Sequence, residues 1–191
     1  MEKRYRDIGG HDGLGDRRYA RYCGAFDWVM HCVEAGYFLE AIAVLDSIIW
    51  DRLSSRLGYL SGGRVDDRAT LGTICTQLVG TSEKSGSERD TSFRDVELQI
   101  KKWVIKRNQA VHATAKVFRD ETSEKGFRSI LRSHKKTAEE GIRYLQAFDL
   151  LDTESRQKAG KIPGSYPNAF FPELRVGESF IANWRREGLS P

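Results

Sequence analysis

Phe38, Ile42, Leu45, Ile49, Leu53 and Leu57 recur at three- and four-residue intervals, with Ala41, Val44 and Ile48 beside them. This spacing gathers the apolar side chains into one broad stripe of an α-helix, and such a stripe needs a second apolar surface to cover it. The helix is expected to stop near Leu60, where Ser61-Gly62-Gly63 offers the left-handed-tolerant backbone used at helix ends. A shorter helix is expected before it, from about Phe26 to Glu34, and a third over about Asp67 to Val79, packing Leu71, Ile74, Cys75 and Leu78. Gly80 to Ser87 is polar and reads as a loop. A fourth helix should start at Thr91 or Ser92, either of which can cap it, and run through Val96, Ile100, Trp103, Val104, Val111 and Ala115 to about Phe118. The last, from about Thr122 to Gln157, carries Phe127, Ile130, Leu131, Ala138, Ile142, Leu145, Phe148 and Leu151. No segment alternates apolar and polar residues long enough for a strand.

Four or five amphipathic helices can bury their stripes only against one another, so the expected fold is all-α, an antiparallel four- to five-helix bundle over residues 19–159. Residues 1–18 are rich in glycine and charge without periodicity and read as a flexible arm. From Gly160 the Ile-Pro-Gly-Ser-Tyr-Pro-Asn-Ala-Phe-Phe-Pro run favours an extended tail, residues 160–191, with Phe170, Phe171, Phe180, Ile181 and Trp184 as anchors across the bundle or a partner subunit. The chain has 191 residues, 39% of them hydrophobic and 30% charged, a balance that suits one soluble domain. No apolar run approaches the roughly 20 residues of a membrane span, and Met1-Glu2-Lys3-Arg4-Tyr5 leads into no secretion signal, so the cytosol is the expected compartment and no membrane partner is expected. Three widely spaced cysteines, Cys23, Cys32 and Cys75, suit reduced thiols.

Net charge is +4 but unevenly spread. Between Lys101 and Arg143, twelve Lys and Arg face five Asp and Glu, a local charge of +7, which leaves the rest of the chain at −3. Such a segment fits either a polyanionic partner or an ordinary solvated basic face. Inside it lies Lys-Arg-Asn-Gln-Ala-Val-His, with Arg107, Asn108 and His112. On a helix Asn108 and His112 are one turn apart on one face, so the amide can orient the imidazole. Arg107 stands about 140° around and ~7.5 Å along from His112, and two copies meeting at a dimer interface would close that gap. An imidazole and a guanidinium suit metal-free RNA cleavage: the imidazole moves the 2′-hydroxyl proton, and the guanidinium steadies the developing phosphorane charge.

The spacing alone carries little weight. With 20 Arg and 4 His in the chain, chance yields roughly 0.4 occurrences of Arg-x4-His, and Arg6 with His11 is one such accident. Requiring Asn directly after the Arg lowers the expectation to roughly 0.007.

Arg107-Asn108-Gln109-Ala110-Val111-His112 resembles the Arg-x4-6-His motif of the HEPN superfamily (higher eukaryotes and prokaryotes nucleotide-binding domains). The helix Ala41 to Leu53 and Ala69-Thr70-Leu71-Gly72 are similar to the segments preceding that motif, and the likeness spans roughly residues 25–150. The resemblance implies an all-α bundle that forms a homodimer around the motif helix. It also implies, for many members, a metal-independent endoribonuclease in toxin, abortive-infection or antiphage defence systems, with an antitoxin or effector protein as a further partner. By carry-over Arg107 and His112 are catalytic, Asn108 is supportive, and Asp51 corresponds to an acidic residue that some members use to hold the motif arginine. Toxin members paired with a nucleotidyltransferase antitoxin often carry a tyrosine two positions after the histidine, where this chain has Thr114. Other members are inactive scaffolds, so an RNA-binding or adaptor module stands as the alternative.

Lys101, Lys102, Lys106, Lys116 and Arg119 are candidates to guide RNA phosphates, each weighed against a solvated helix face. Trp103 reads as core rather than a stacking platform, His134 as exposed basic surface, and His31 with Cys32 as diverging neighbours, not a dyad. No His, Cys or carboxylate set has metal-ligand spacing, and no cofactor is expected.

Overall fold

A computed structural model of the chain describes residues 14–63, 65–81, 84–113, 123–161 and 168–175. Five helices account for most of them: α1 (Leu14–Ala35), α2 (Phe38–Ser61), α3 (Leu71–Val79), α4 (Thr91–Ala113) and α5 (Ser123–Lys158). Side-chain pairs between helices give their directions. Trp28 meets Glu40 and Tyr22 meets Asp51, so α1 and α2 are antiparallel. Phe93 meets Phe148 while the Ala110 carbonyl meets His134, and Arg56 stands over Phe93 while Arg107 reaches Asp46, so α4 opposes both α5 and α2. Arg52 pairs with Asp149 and Asp152, and Arg156 with Ser55, so α2 and α5 run the same way. The four long helices thus form an up-down-up-down bundle, with α3 packed on α2 and α4.

The expected elements recur with shifted ends. The first helix begins at Leu14 rather than near Phe26, so residues 14–18 of the expected arm are its opening turn; residues 1–13 lie outside the described part. Cys23, Phe26, Val29 and Cys32 are buried along it, with Tyr19 and Tyr22 packed against the core, and this stripe outweighs the helix-weakening glycines Gly15 and Gly24. Gly36, at φ 85°, ends α1 and lets the Tyr37 amide bond the Cys32 carbonyl at 2.7 Å. The third helix starts at Leu71, not Asp67, because the Thr70 hydroxyl caps it by accepting from the Thr73 amide at 3.2 Å. α4 is capped by Asp90 rather than Thr91 or Ser92: its Oδ1 accepts from the Ser92 amide at 2.9 Å. Residues 114–118, the expected end of α4, lie outside the described part, as do residues 119–122.

The core runs from Phe26 and Val29 through Ile42, Leu45, Ile49 and Leu53 to Ile100, Trp103, Leu145 and Phe148. Trp103 is fully buried and donates to the Thr137 carbonyl at 2.7 Å, which confirms it as a core residue. A Cβ on Gly141 would lie 2.8 Å from the Trp103 ring, so only glycine lets α4 and α5 approach this closely. Of the tail, Phe170 is buried against Tyr22 and Phe26, and Arg175 pairs with Asp27 at 2.5 Å, so residues 168–175 do lie across the bundle. Phe180, Ile181 and Trp184 lie outside the described residues.

Candidate functional site

α4 carries Arg107, Asn108 and His112 in its last two turns, and the helix turns them to different surroundings. Asn108 and His112 are exposed on one face, as their four-residue spacing requires. Arg107 faces α2 instead, where its Nη2 lies 2.7 Å from Asp46 Oδ1 with only 22% of the side chain exposed. Partial burial holds the Asp46 carboxyl above the usual carboxylate range, against the opposing pull of the Arg107 guanidinium. Nε of Arg107 is buried without a partner. Within one chain, therefore, Arg107 and His112 do not converge.

Asp51, the acidic residue that the resemblance implies for holding Arg107, does not meet it. Asp51 takes the Tyr22 hydroxyl on the α1 side of α2, and Asp46 takes the arginine. Five residues turn an α-helix by about 140°, so the two aspartates cannot serve the same neighbour. Asp46 was open to detection: it interrupts the series Ile42, Ile49, Leu53 at helical spacing, and an acid on an apolar stripe needs a partner there.

The basic candidates divide in the same way. Lys101 donates to the Gly80 carbonyl at 2.8 Å and holds the turn after α3, and Lys106 pairs with Glu140 at 2.7 Å. Lys102 is exposed. Lys116 and Arg119 lie outside the described residues.

His134 is not exposed basic surface; only 2% of it is accessible. It follows Ile130 by four residues and precedes Thr137, Ala138 and Gly141, so the periodicity of α5 itself puts it on the buried face, between helices. One ring nitrogen donates to the Ala110 carbonyl, while Nε2 is buried with no partner. Burial holds its pKa below the ordinary histidine value, against the opposing effect of that hydrogen bond. The ring lines a groove of about 310 Å³ between α4 and α5, together with Lys106, Gln109, Ser133 and Lys136.

The apolar positions around the motif also depart from expectation. Val111 is 52% exposed, Phe127 50% and Leu131 36%, although their stripes assign them to a core. α3 covers α4 at Val104, beside Gly72, but two turns later Val111 meets solvent. Ile105, on the face shared by Asn108 and His112, is exposed as well.

Among the described residues no group of three or more His, Cys, Asp or Glu could hold a metal ion, and no helix is long and apolar enough to cross a membrane. Cys23, Cys32 and Cys75 are buried free thiols; burial pushes Cys32 up to about 11 and Cys75 up to about 12, which makes them poor nucleophiles. Comparison of the chain with protein-family models, curated proteins and solved structures finds no match.

Proposed function

We propose that the protein is a homodimeric, metal-independent endoribonuclease of the HEPN type that acts on RNA in a toxin or antiphage defence role. The observation that carries this reading is the end of α4: Asn108 and His112 stand exposed together, Arg107 is anchored one face away, and Val111, Phe127 and Leu131 are left uncovered beside them. Uncovered apolar residues at core-facing positions suit burial against a second copy. In that pairing His112 of one protomer meets Arg107 of the other, with Asp46 holding the guanidinium in place.

The chemistry follows from the groups. Neutral His112 takes the proton of a ribose 2′-hydroxyl as its oxygen bonds to the adjacent phosphorus, and Arg107 neutralises the charge on the phosphorane oxygens. The bond from phosphorus to the 5′-oxygen breaks, and the imidazolium returns its proton to that oxygen. The products are a 2′,3′-cyclic phosphate and a 5′-hydroxyl. Purified protein is expected to cut single-stranded or loop RNA in EDTA and to leave those ends; cutting that requires added Mg²⁺ contradicts the mechanism.

A second reading, an RNA-binding or adaptor module without activity, is favoured by one observation: Arg107 is already engaged by Asp46, and Lys101 and Lys106 are tied internally. RNA left intact by the wild type, and equal growth of cells expressing wild type or His112→Ala, would select it.

A further inference from the structure

Glu97 lies on α4 with no accessible surface and, among the described residues, no partner for either carboxyl oxygen. A carboxylate in that position would lack both water and a donor, so the group is held as the neutral acid. The cation best placed to answer it is already in use. Arg56 of α2 stacks on Phe93, its guanidinium carbon 3.7 Å from the ring centre, and Phe93 stands one helical turn before Glu97 on the same face. Arg56 Nε donates to Glu88 Oε2 at 2.7 Å, and both of these side chains are buried. From α3 the Cys75 thiol faces Glu97, kept neutral by its own burial. From the turn before α4 comes Asp90, which caps the helix, and from α4 itself half-buried Arg94 and Lys101, whose ammonium is bonded to the Gly80 carbonyl. Asp46 of α2, which also acts on Cys75, is taken by Arg107.

Glu88 does more than hold Arg56. Its other oxygen, Oε1, accepts from the Arg89 and Asp90 amides, each at 2.9 Å, and its own amide donates to the Leu78 carbonyl at 2.9 Å. The Ser87 amide is bonded to the Gln77 carbonyl, and a Cβ on Gly86 would fall 1.9 Å from the Leu78 oxygen, so residues 86–90 are stitched onto the end of α3. One carboxylate thus ties α2, α3 and the start of α4 together.

We propose that Arg56 is shared by two buried carboxyls, Glu88 and Glu97, and that this sharing makes the turn before α4 an alkaline-sensitive switch. While Glu97 keeps its proton, Glu88 holds Arg56 and the turn stays shut. When Glu97 gives that proton to solvent, the new carboxylate takes Arg56. Glu88, left buried with two amides but no cation, then swings into water and carries residues 86–90 with it. The direction follows from burial, since the closed form favours the neutral acid and is lost as pH rises. Burial, and then the Glu88 charge, hold Glu97 up to about 8, so the change falls in mildly alkaline solution. The switch uses neither Arg107 nor His112 and stands whether or not the protein cuts RNA.

The test titrates the full chain by NMR, with ¹³C-labelled glutamate and ¹⁵N-labelled backbone and arginine, from about pH 5 to about pH 9.5. The Glu97 carboxyl carbon should titrate at about 8, and the Arg56 Nε–H resonance should leave its Glu88-bound position with the same midpoint. In Glu97→Gln, isosteric with the neutral acid, the Arg56 resonance should stay where it is. At pH 9 about ten Glu97 are ionised for each neutral one. The Glu88 amide should therefore exchange with solvent roughly tenfold faster in the wild type than in Glu97→Gln, and the Leu145 amide in the core by a clearly smaller factor. At pH 6 the two proteins should match. A merely structural Glu97 would speed both amides alike. That result overturns the proposal, as does an Arg56 resonance that stays put while Glu97 titrates, or a Glu97 midpoint in the ordinary carboxylate range.

Discussion

Two regions of the bundle treat their ion pairs in opposite ways. At the junction of α2, α5 and the 168–175 segment, Arg52 lies between Asp149 at 2.5 Å and Asp152 at 2.6 Å, Arg156 adds a second contact to Asp152, and Arg175 closes on Asp27. Burial works against the charge on Arg52, but the two aspartates more than offset it and hold its pKa above the ordinary value. At the end of α4 and the start of α5, apolar side chains meet solvent, His134 Nε2 and Arg107 Nε have no partner, and the ion pair Lys106–Glu140 lies half in water. Unpartnered atoms occur at both, Arg52 Nε and Arg175 Nε at the first as well as Arg107 Nε and His134 Nε2 at the second, so the difference lies in the ion pairs, shut from water at the first and open to it at the second. The first keeps its charged pairs against one another away from water; the second leaves Val111, Phe127 and Leu131 open to it.

Substitutions should separate the two regions in order of size. Arg52→Ala strips buried Asp149 of its cation and leaves Asp152 only Arg156, and is expected to cost about 3–5 kcal/mol; Lys106→Ala, at the half-exposed pair, should cost no more than about 1 kcal/mol. Denaturant unfolding of both variants measures the contrast, and equal losses would erase it. Gly141→Ala drives a methyl into the Trp103 ring and should cost about 1–3 kcal/mol by overpacking, read in the same assay. Leu131→Lys changes a residue already in contact with solvent, so it should leave the monomer's stability within about 0.5 kcal/mol while shifting a sedimentation profile from dimer to monomer.

An effect confined to high pH concerns Glu97, a fully buried carboxyl of α4 with neither oxygen partnered. Burial, and then the charge of Glu88, hold its pKa up to about 8, against the pull of Arg56 and Arg94. A carboxyl raised in the fold favours folding most when protonated in both states; that contribution is lost as pH climbs from the unfolded value of about 4.5 through the folded value of about 8. Glu97→Gln should therefore melt about 2 °C or more above wild type at pH 9 and close to it at pH 5. A gap that does not change with pH would contradict the assignment.

Much of this was legible in the chain. The stripes of α2 and α5 placed both helices within a residue or two, because many apolar positions agree on one face. The opening of α1 was obscured by Gly15, Asp16 and two arginines, which outweigh Tyr19 and Tyr22 in a local reading but not once the tail's Phe170 packs against the tyrosine. The motif could be read because Asn108 and His112 share a helix, and helix geometry alone relates them. The Arg107–Asp46 pair could not, since it depends on how α4 rotates against α2, which periodicity leaves open. His134 was misread as surface because the basic residues around it masked its place in the apolar series.

The claim that the open end of α4 is half of a shared catalytic site is tested most directly by mixing two inactive proteins. Arg107→Ala and His112→Ala should each lose cutting by roughly 10²–10⁴-fold, yet a mixed dimer keeps one intact pairing of Arg107 from one chain with His112 from the other. Co-refolding the two variants should restore cleavage of RNA in EDTA to a sizeable fraction of the wild-type rate. A mixture as silent as its components, beside an active wild type, would contradict the shared site.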